Sequence, residues 1–237
     1  MCISVIKKIL TGCCCIDSNL SGGIFPESVM LIYGEAETGK TTLAMQCAVS
    51  CAMQNHKTLF VDCDNTFSAK RLSQVASGKF EEIADLILLI RPTDFREQTA
   101  VIDRISDYTA KNFGLIVIDT LNSLYRAKVA ESSGKAFGLN RELNRQLAIL
   151  AQTAKTQKMP VVITSQVRSV FDDSYVSVAP VATRVLEFWA DTILAMKPSE
   201  NPQIIKAVLE KTGETAQEAT CYLRIDETGI HDYPFYQ

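Results

Sequence analysis

The sequence predicts an α/β fold: a mostly parallel central sheet flanked by helices, with a C-terminal antiparallel extension. Three observations predict it. Short apolar runs alternate with segments of helical spacing through most of the chain. A phosphate-loop motif lies between the first such run and the first such helix. Toward the C-terminus the helical signals fade and strands with short links take over.

The elements follow in order. Residues 29–33 (VMLIY) form a short apolar run, as expected of a buried parallel strand. Residues 42–53 place Leu43, Ala44, Cys47, Ala48, Cys51 and Ala52 at helical spacing. Residues 57–62 are a second strand with an acidic end, and 68–77 a modest helix. Residues 86–90 are a third strand, ended by Arg91-Pro92. Residues 94–111 read as a helix with Asp94 at its N-cap and Glu97 three residues on. Residues 114–119 are a fourth strand, and the polar segment 130–135 reads as a mobile loop. Residues 139–158 form a long amphipathic helix with an apolar stripe of Leu139, Leu143, Leu147, Leu150 and Ala154; Arg141, Glu142 and Arg145 lie on its outer face. Residues 160–164 are a fifth strand. Residues 192–196, 204–210 and 220–225 are strands expected to extend the sheet in antiparallel fashion.

The chemistry concentrates at residues 34–42, Gly34-Glu35-Ala36-Glu37-Thr38-Gly39-Lys40-Thr41-Thr42. Gly, four residues, then Gly-Lys-Thr is the spacing that lets backbone N–H groups turn inward onto phosphate oxygens. Gly39 lets the chain pass close to the phosphates, Lys40 brings a compact charge to the terminal ones, and Thr41 offers a hydroxyl to Mg²⁺. Asp119, at the end of an apolar strand, can hold the water shell of the same ion. Asp62 and Asp64 end the second strand and are candidates to activate water. Gln166, just past the fifth strand, can sense a γ-phosphate and pass its state to the following segment.

Composition sets limits. The 237 residues are 47% hydrophobic, enough for one large core, and no apolar run approaches the roughly 18 residues of a membrane span. The start (MCISVIKKIL) lacks the apolar stretch of a secretory signal, so an intracellular, cytoplasmic protein is expected. The eight cysteines show no paired zinc spacing and are expected to be reduced, mostly buried thiols. His56 and His231 suggest nothing beyond surface residues. A formal net charge of −3 excludes a general basic field for nucleic acid, so DNA contact must be local.

Together these pieces resemble the RecA family of recombinase ATPases. The resemblance is carried by Thr11-Gly12, residues 16–24, the phosphate loop, residues 62–72, Asp119 and Gln166. Residues 180–196 and 207–211 point to the short archaeal paralogues that begin at the ATPase core, without a helical N-terminal DNA-binding domain. Residues 1–237 are accordingly expected to be a single RecA-like ATPase core. The resemblance implies ATP and Mg²⁺ as cofactors, with residues 34–42 on ATP and Thr41 and Asp119 at the metal. It puts Asp64 in the catalytic glutamate position, Gln166 in the γ-phosphate sensor position, and Arg71 against the adenine. It implies DNA-facing loops over residues 167–183, with Arg168, Phe171, Tyr175 and Arg184 as candidate contacts, and Lys211 as a contact to a neighbour's ATP. Implied partners are single-stranded DNA or DNA junctions, a RadA-type recombinase and a junction nuclease; a homo-oligomer is allowed.

The chain departs from the family at instructive places. Asp64 is one methylene shorter than the family glutamate, and a misplacement of about 1 Å can cost roughly 10²-fold in rate, so slow hydrolysis is expected. Thr212 and Gly213 follow Lys211 where further basic residues are expected, and residues 180–183 lack paired glycines. An adaptor that binds nucleotide without significant hydrolysis, and a KaiC-type signalling ATPase with no DNA role, stand as alternatives.

Overall fold

The computed structural model describes residues 7–109, 112–132, 134, 136–167, 179–201, 203–213 and 218–233. In chain order the elements are α1 (Cys14–Asn19), β1 (Val29–Gly34), α2 (Lys40–Ala52), β2 (Lys57–Asp62), α3 (Ala69–Val75), α4 (Phe80–Ile83), β3 (Ile87–Ile90), α5 (Phe95–Asp103) and α6 (Ile105–Tyr108). They continue with β4 (Phe113–Asp119), α7 (Ser123–Glu131), α8 (Ala136–Gln157), β5 (Val161–Gln166), α9 (Ala179–Trp189), β6 (Thr192–Pro198), β7 (Ile204–Thr212), β8 (Ala219–Asp226) and β9 (Gly229–Asp232).

One sheet runs in the order β3-β2-β4-β5-β1-β6-β7-β8-β9. The pairs from β3 through β6 are parallel, and β6–β7, β7–β8 and β8–β9 are antiparallel. The mostly parallel sheet with antiparallel C-terminal strands is therefore as expected. Alternation along the strands divides two cores. Val29, Leu31, Leu59, Val61, Ile116, Ile118, Val161 and Ile163 face one side, where Leu143, Leu147, Leu150 and Ala154 of α8 cover them. Met30, Ile32, Phe60, Leu115, Val117 and Val162 face the other, under Leu43, Ala44, Cys47 and Ala48 of α2. β1 lies between β5 and β6, while the chain's next strand, β2, lies beyond β5 and β4. The strand order thus reverses beside β1, and the crevice at the carboxyl ends of these strands is where open α/β sheets place their ligands.

Several expectations need correction. The helix expected over 94–111 breaks at Arg104 into α5 and α6. Its N-cap is as read: Asp94 Oδ1 accepts the Glu97 N–H at 2.7 Å, while Glu97 reaches back to Thr93. Ala130 and Glu131 of the expected loop belong to α7. A helix, α9, stands where helical signals seemed to fade, and α1 and β9 were not expected. The thiols are not all reduced: Cys15 and Cys221 form a disulfide across 206 positions, fastening α1 to β8. His56 is buried rather than at the surface, with Nδ1 unpartnered among the described residues.

Candidate nucleotide site

β1 delivers the phosphate loop into the crevice at its carboxyl end. Gly34 is required there by packing: a Cβ would lie 2.0 Å from the Met196 carbonyl oxygen on β6. The loop then turns through left-handed backbone at Glu37 (φ 64°) and Gly39 (φ 85°). Thr38 Oγ1 donates to the Glu35 carbonyl at 2.9 Å and closes the turn. Lys40 opens the 13-residue α2, whose N-terminal amides and dipole suit an anion. Its ammonium folds back to donate to the Glu35 carbonyl at 2.5 Å and to Thr38 Oγ1 at 3.3 Å. Burial lowers the Lys40 pKa, while Asp119, Asp64 and Glu35 work in the opposite direction. An open recess of about 270 Å³ is lined by Glu37, Gly39, Lys40, Thr41, Thr42 and, from β8, Ile225.

Asp119 ends β4 with no solvent exposure. The Thr164 hydroxyl of β5 donates to Oδ1, and Oδ2 is buried with no hydrogen-bond partner among the described residues. Burial pushes the Asp119 pKa up, and the hydroxyls of Thr164 and Thr41 act to hold it down. A buried carboxylate oxygen with no hydrogen-bond partner among the described residues, with the Thr41 hydroxyl nearby, fits a hard divalent cation.

The two acidic residues ending β2 are in different situations. Asp62 is buried and fully engaged: it accepts the N–H groups of Thr66 and Phe67, each at 3.0 Å, and Arg91 Nε at 3.1 Å. It holds the segment after β2 in place, which corrects its reading as a water activator. Asp64 is exposed, and its charge is felt by both Lys40 and Asp119. Gln166 ends β5 beside Gly34 in register.

The Rad51 family profile matches residues 3–233. The chain belongs to the Rad51 family. It is similar to the DNA repair and recombination protein RadB of Thermococcus kodakarensis, with 35% identity over 225 residues, 94% of this chain and 98% of that one. It is similar likewise to RadB of Methanothermobacter thermautotrophicus, with 31% identity over 220 residues, 91% of this chain and 92% of that one. The crystal structure of the RadB recombinase superposes with a TM-score of 0.79 at 32% identity, covering 95% of this chain and all of that one. The fold is thus RecA-like, and the RadB branch is the one the sequence resembled.

In this Rad51-family chain the remaining expected residues divide. Arg71, on α3, reaches the β8–β9 turn, where Nη1 donates to the Glu227 carbonyl at 2.8 Å, adjoining the strand that carries Ile225 into the recess. Lys211 Nζ donates to the Ala190 carbonyl at the end of α9 at 2.5 Å, so its charge is turned inward within the chain. Arg184 is exposed on α9 and its charge acts on Glu187. Arg168, Phe171 and Tyr175 lie outside the described residues, as do the side chains of 179–183. Sequence reasoning missed Thr164, Ile225, Asn122, Ser123 and Arg126. A polar Asn-Ser pair so soon after a strand-end Asp was the available signal for two of them.

No described helix is long and apolar enough to cross a membrane.

Proposed function

We propose that the chain is a RadB-like, ATP-binding recombination factor, a single cytoplasmic RecA-like ATPase core that hydrolyses ATP slowly and assists a RadA-type recombinase on single-stranded DNA or junctions. The observation that carries the reading is Asp119 Oδ2, buried and without a hydrogen-bond partner among the described residues, beside a phosphate loop whose helix starts with Lys40 and Thr41. Residues 34–42 would hold ATP, with Thr41 and Asp119 holding Mg²⁺. The ion would neutralise charge on the phosphate oxygens and fix their orientation.

The chain's own groups then have distinct tasks. The loop amides and the Lys40 ammonium bind the phosphate tail, and Lys40 exchanges its contact with the Glu35 carbonyl for one with phosphate. Ile225 excludes water from one wall of the recess. Asp64 accepts the proton of the attacking water, at a distance its short side chain makes unfavourable. Gln166 registers the γ-phosphate and biases the segment beginning at residue 167, where Arg168, Phe171, Tyr175 and Arg184 meet DNA. Family membership supports the DNA role. The test is a calorimetric titration with Mg-ATP together with turnover measured with and without single-stranded DNA. Saturable binding and slow, DNA-modulated turnover are expected; no saturable heat would end the nucleotide reading.

The exposed, shortened Asp64 also favours a second reading, an adaptor in which nucleotide serves structure alone. Lys40→Ala separates the two. If recombinase binding survives loss of ATP binding, the adaptor reading wins.

A further inference from the structure

Between β4 and α7 the chain forms a crosspiece that touches both neighbouring strands. On the β2 side, the Asp119 carbonyl accepts the Cys63 N–H at 2.6 Å, and Ser123 Oγ donates to the Cys63 carbonyl at 3.3 Å. On the β5 side, the Leu121 N–H donates to the Thr164 carbonyl at 3.1 Å. One step further, the side chain of Asn122 takes both main-chain groups of Gln166. Nδ2 donates to the carbonyl at 3.2 Å and Oδ1 accepts the N–H at 3.4 Å, while Arg126 Nη1 from α7 donates to the same carbonyl at 3.3 Å, so among the described residues Asn122 alone holds the N–H. Gln98 Nε2 holds the Leu121 carbonyl from the core at 3.0 Å and is itself held by Gln146 Oε1 at 2.9 Å.

This arrangement has a reason in the register. The β4–β5 pairing ends at Ile118 and Ile163, whereas β5 stays paired with β1 as far as Gln166. The last residue of β5 therefore has no β4 partner on its other side. A carboxamide carries one donor and one acceptor in the geometry of a peptide group, so the buried Asn122 supplies the missing rung.

We propose that Asn122 is a positioning residue for the γ-phosphate response: its carboxamide extends the β4–β5 ladder past its end and fixes Gln166, while Ser123 on the same crosspiece holds Cys63, next to Asp64. The inference rests on the nucleotide reading above. It predicts a split. Residues 34–42, which would carry the phosphates shared by ADP and ATP, do not depend on Asn122. The advantage of a third phosphate does.

The experiment titrates wild type, Asn122→Ala and Asn122→Asp with Mg-ADP and with Mg-ATPγS, and measures turnover of Mg-ATP. Asn122→Asp keeps size and acceptor but sets an oxygen against the Gln166 carbonyl. Both variants should bind Mg-ADP within about twofold of wild type, showing an intact site. Both should lose about 5- to 10-fold of the affinity gained by the third phosphate, with KM for Mg-ATP rising in step because hydrolysis is slow, and about tenfold in kcat. Full retention of that gain by either variant overturns the inference, as does a parallel fall in ADP affinity, which marks a merely structural role. Equal binding of both nucleotides by wild type overturns it while leaving the nucleotide reading intact. Wild type binding neither ends both.

Discussion

Gln46, on the helix that follows the phosphate loop, holds Ile230 on the last strand by both main-chain groups. Nε2 donates to the carbonyl at 3.0 Å and Oε1 accepts the N–H at 2.7 Å. The same Nε2 also donates to the Thr11 carbonyl at 3.2 Å. One side chain thus ties α2, β9 and the segment before α1. Gln46→Ala strands these partly buried groups and should destabilise the protein by about 2 kcal/mol. Chemical denaturation checks it; a loss below about 0.5 kcal/mol would mean that water replaces the amide freely.

Gly39 shows how tightly that hairpin sits on the loop. Its φ is 85°, and a Cβ would lie 2.7 Å from Ile225 Cδ1 and 2.9 Å from Ile230 Cδ1. Gly39→Ala must therefore strain the backbone, by about 1–2 kcal/mol, and push two isoleucines aside. Affinity for Mg-ATP should fall more than tenfold while the thermal midpoint drops by only a few degrees. Calorimetry and a melting curve on the same sample decide it.

Asp62 and Asp64 should respond oppositely. Asp62→Ala removes a buried carboxylate that accepts three donors and should cost about 2–3 kcal/mol, mainly by leaving two N–H groups unpaired, since the half-exposed Arg91 keeps water and the Phe67 carbonyl. Asp64→Ala, at an exposed position, should leave stability within about 0.5 kcal/mol and abolish turnover. Asp64→Glu should raise turnover by restoring the missing methylene, by up to about 10²-fold. A wild-type rate unchanged by either Asp64 substitution would remove it from the chemistry.

The β8–β9 turn carries a pH signature. The Thr228 hydroxyl, followed by the Thr228 N–H, His231 and Arg224, holds the Asp226 carboxyl down to about 2 from an ordinary value of 3.8. A depressed carboxyl stabilises the fold fully above the unfolded-chain value, and the contribution disappears as pH falls through the folded value. Asp226→Asn should therefore be less stable than wild type at about pH 5, with the difference shrinking toward zero near pH 2. The group is exposed, so the effect is modest and salt-sensitive. Urea titrations across that range test it, and a constant difference would assign the effect to packing.

Much of the site was legible in residue order because its chemistry is local. Residues 34–42 and Asp119 need only a strand, a tight loop and a helix start, and each has a sequence signature. The strands were legible because burial on both faces leaves continuous apolar runs, as at 115–118. What stayed hidden depends on distance or on weak propensity. Cys15 meets Cys221 only after the sheet has closed, so spacing could not pair them. The segment that forms α9 carries Val181, Thr183 and Val185, poor helix formers that the fold overrides, while Pro180 stands in its first turn, where proline is tolerated. Asp62 and Asp64 look equivalent in sequence, and only the fold distinguishes them, by burying Asp62 under the Thr66 and Phe67 N–H groups and bringing Arg91 to it from the end of β3. The Asn122-Ser123 pair marks a polar position after Asp119, but the task of Asn122 cannot be read from it, because that task exists only where the β4–β5 pairing stops.

The placement of the final hairpin bears on how the molecule is made. Gln46 and Ile230 are 184 positions apart, and Asp232 accepts the N–H groups of Cys14 and Cys15 from 218 and 217 positions away. As the polypeptide leaves the ribosome, the phosphate loop can form early, but Ile230 of its cover is synthesised 184 positions after Gln46. Until then Gly39 and the first turn of α2 lie bare, and contacts of such long range close slowly. Until the hairpin emerges, a nascent chain is therefore exposed at the very place where the folded protein is tightly packed.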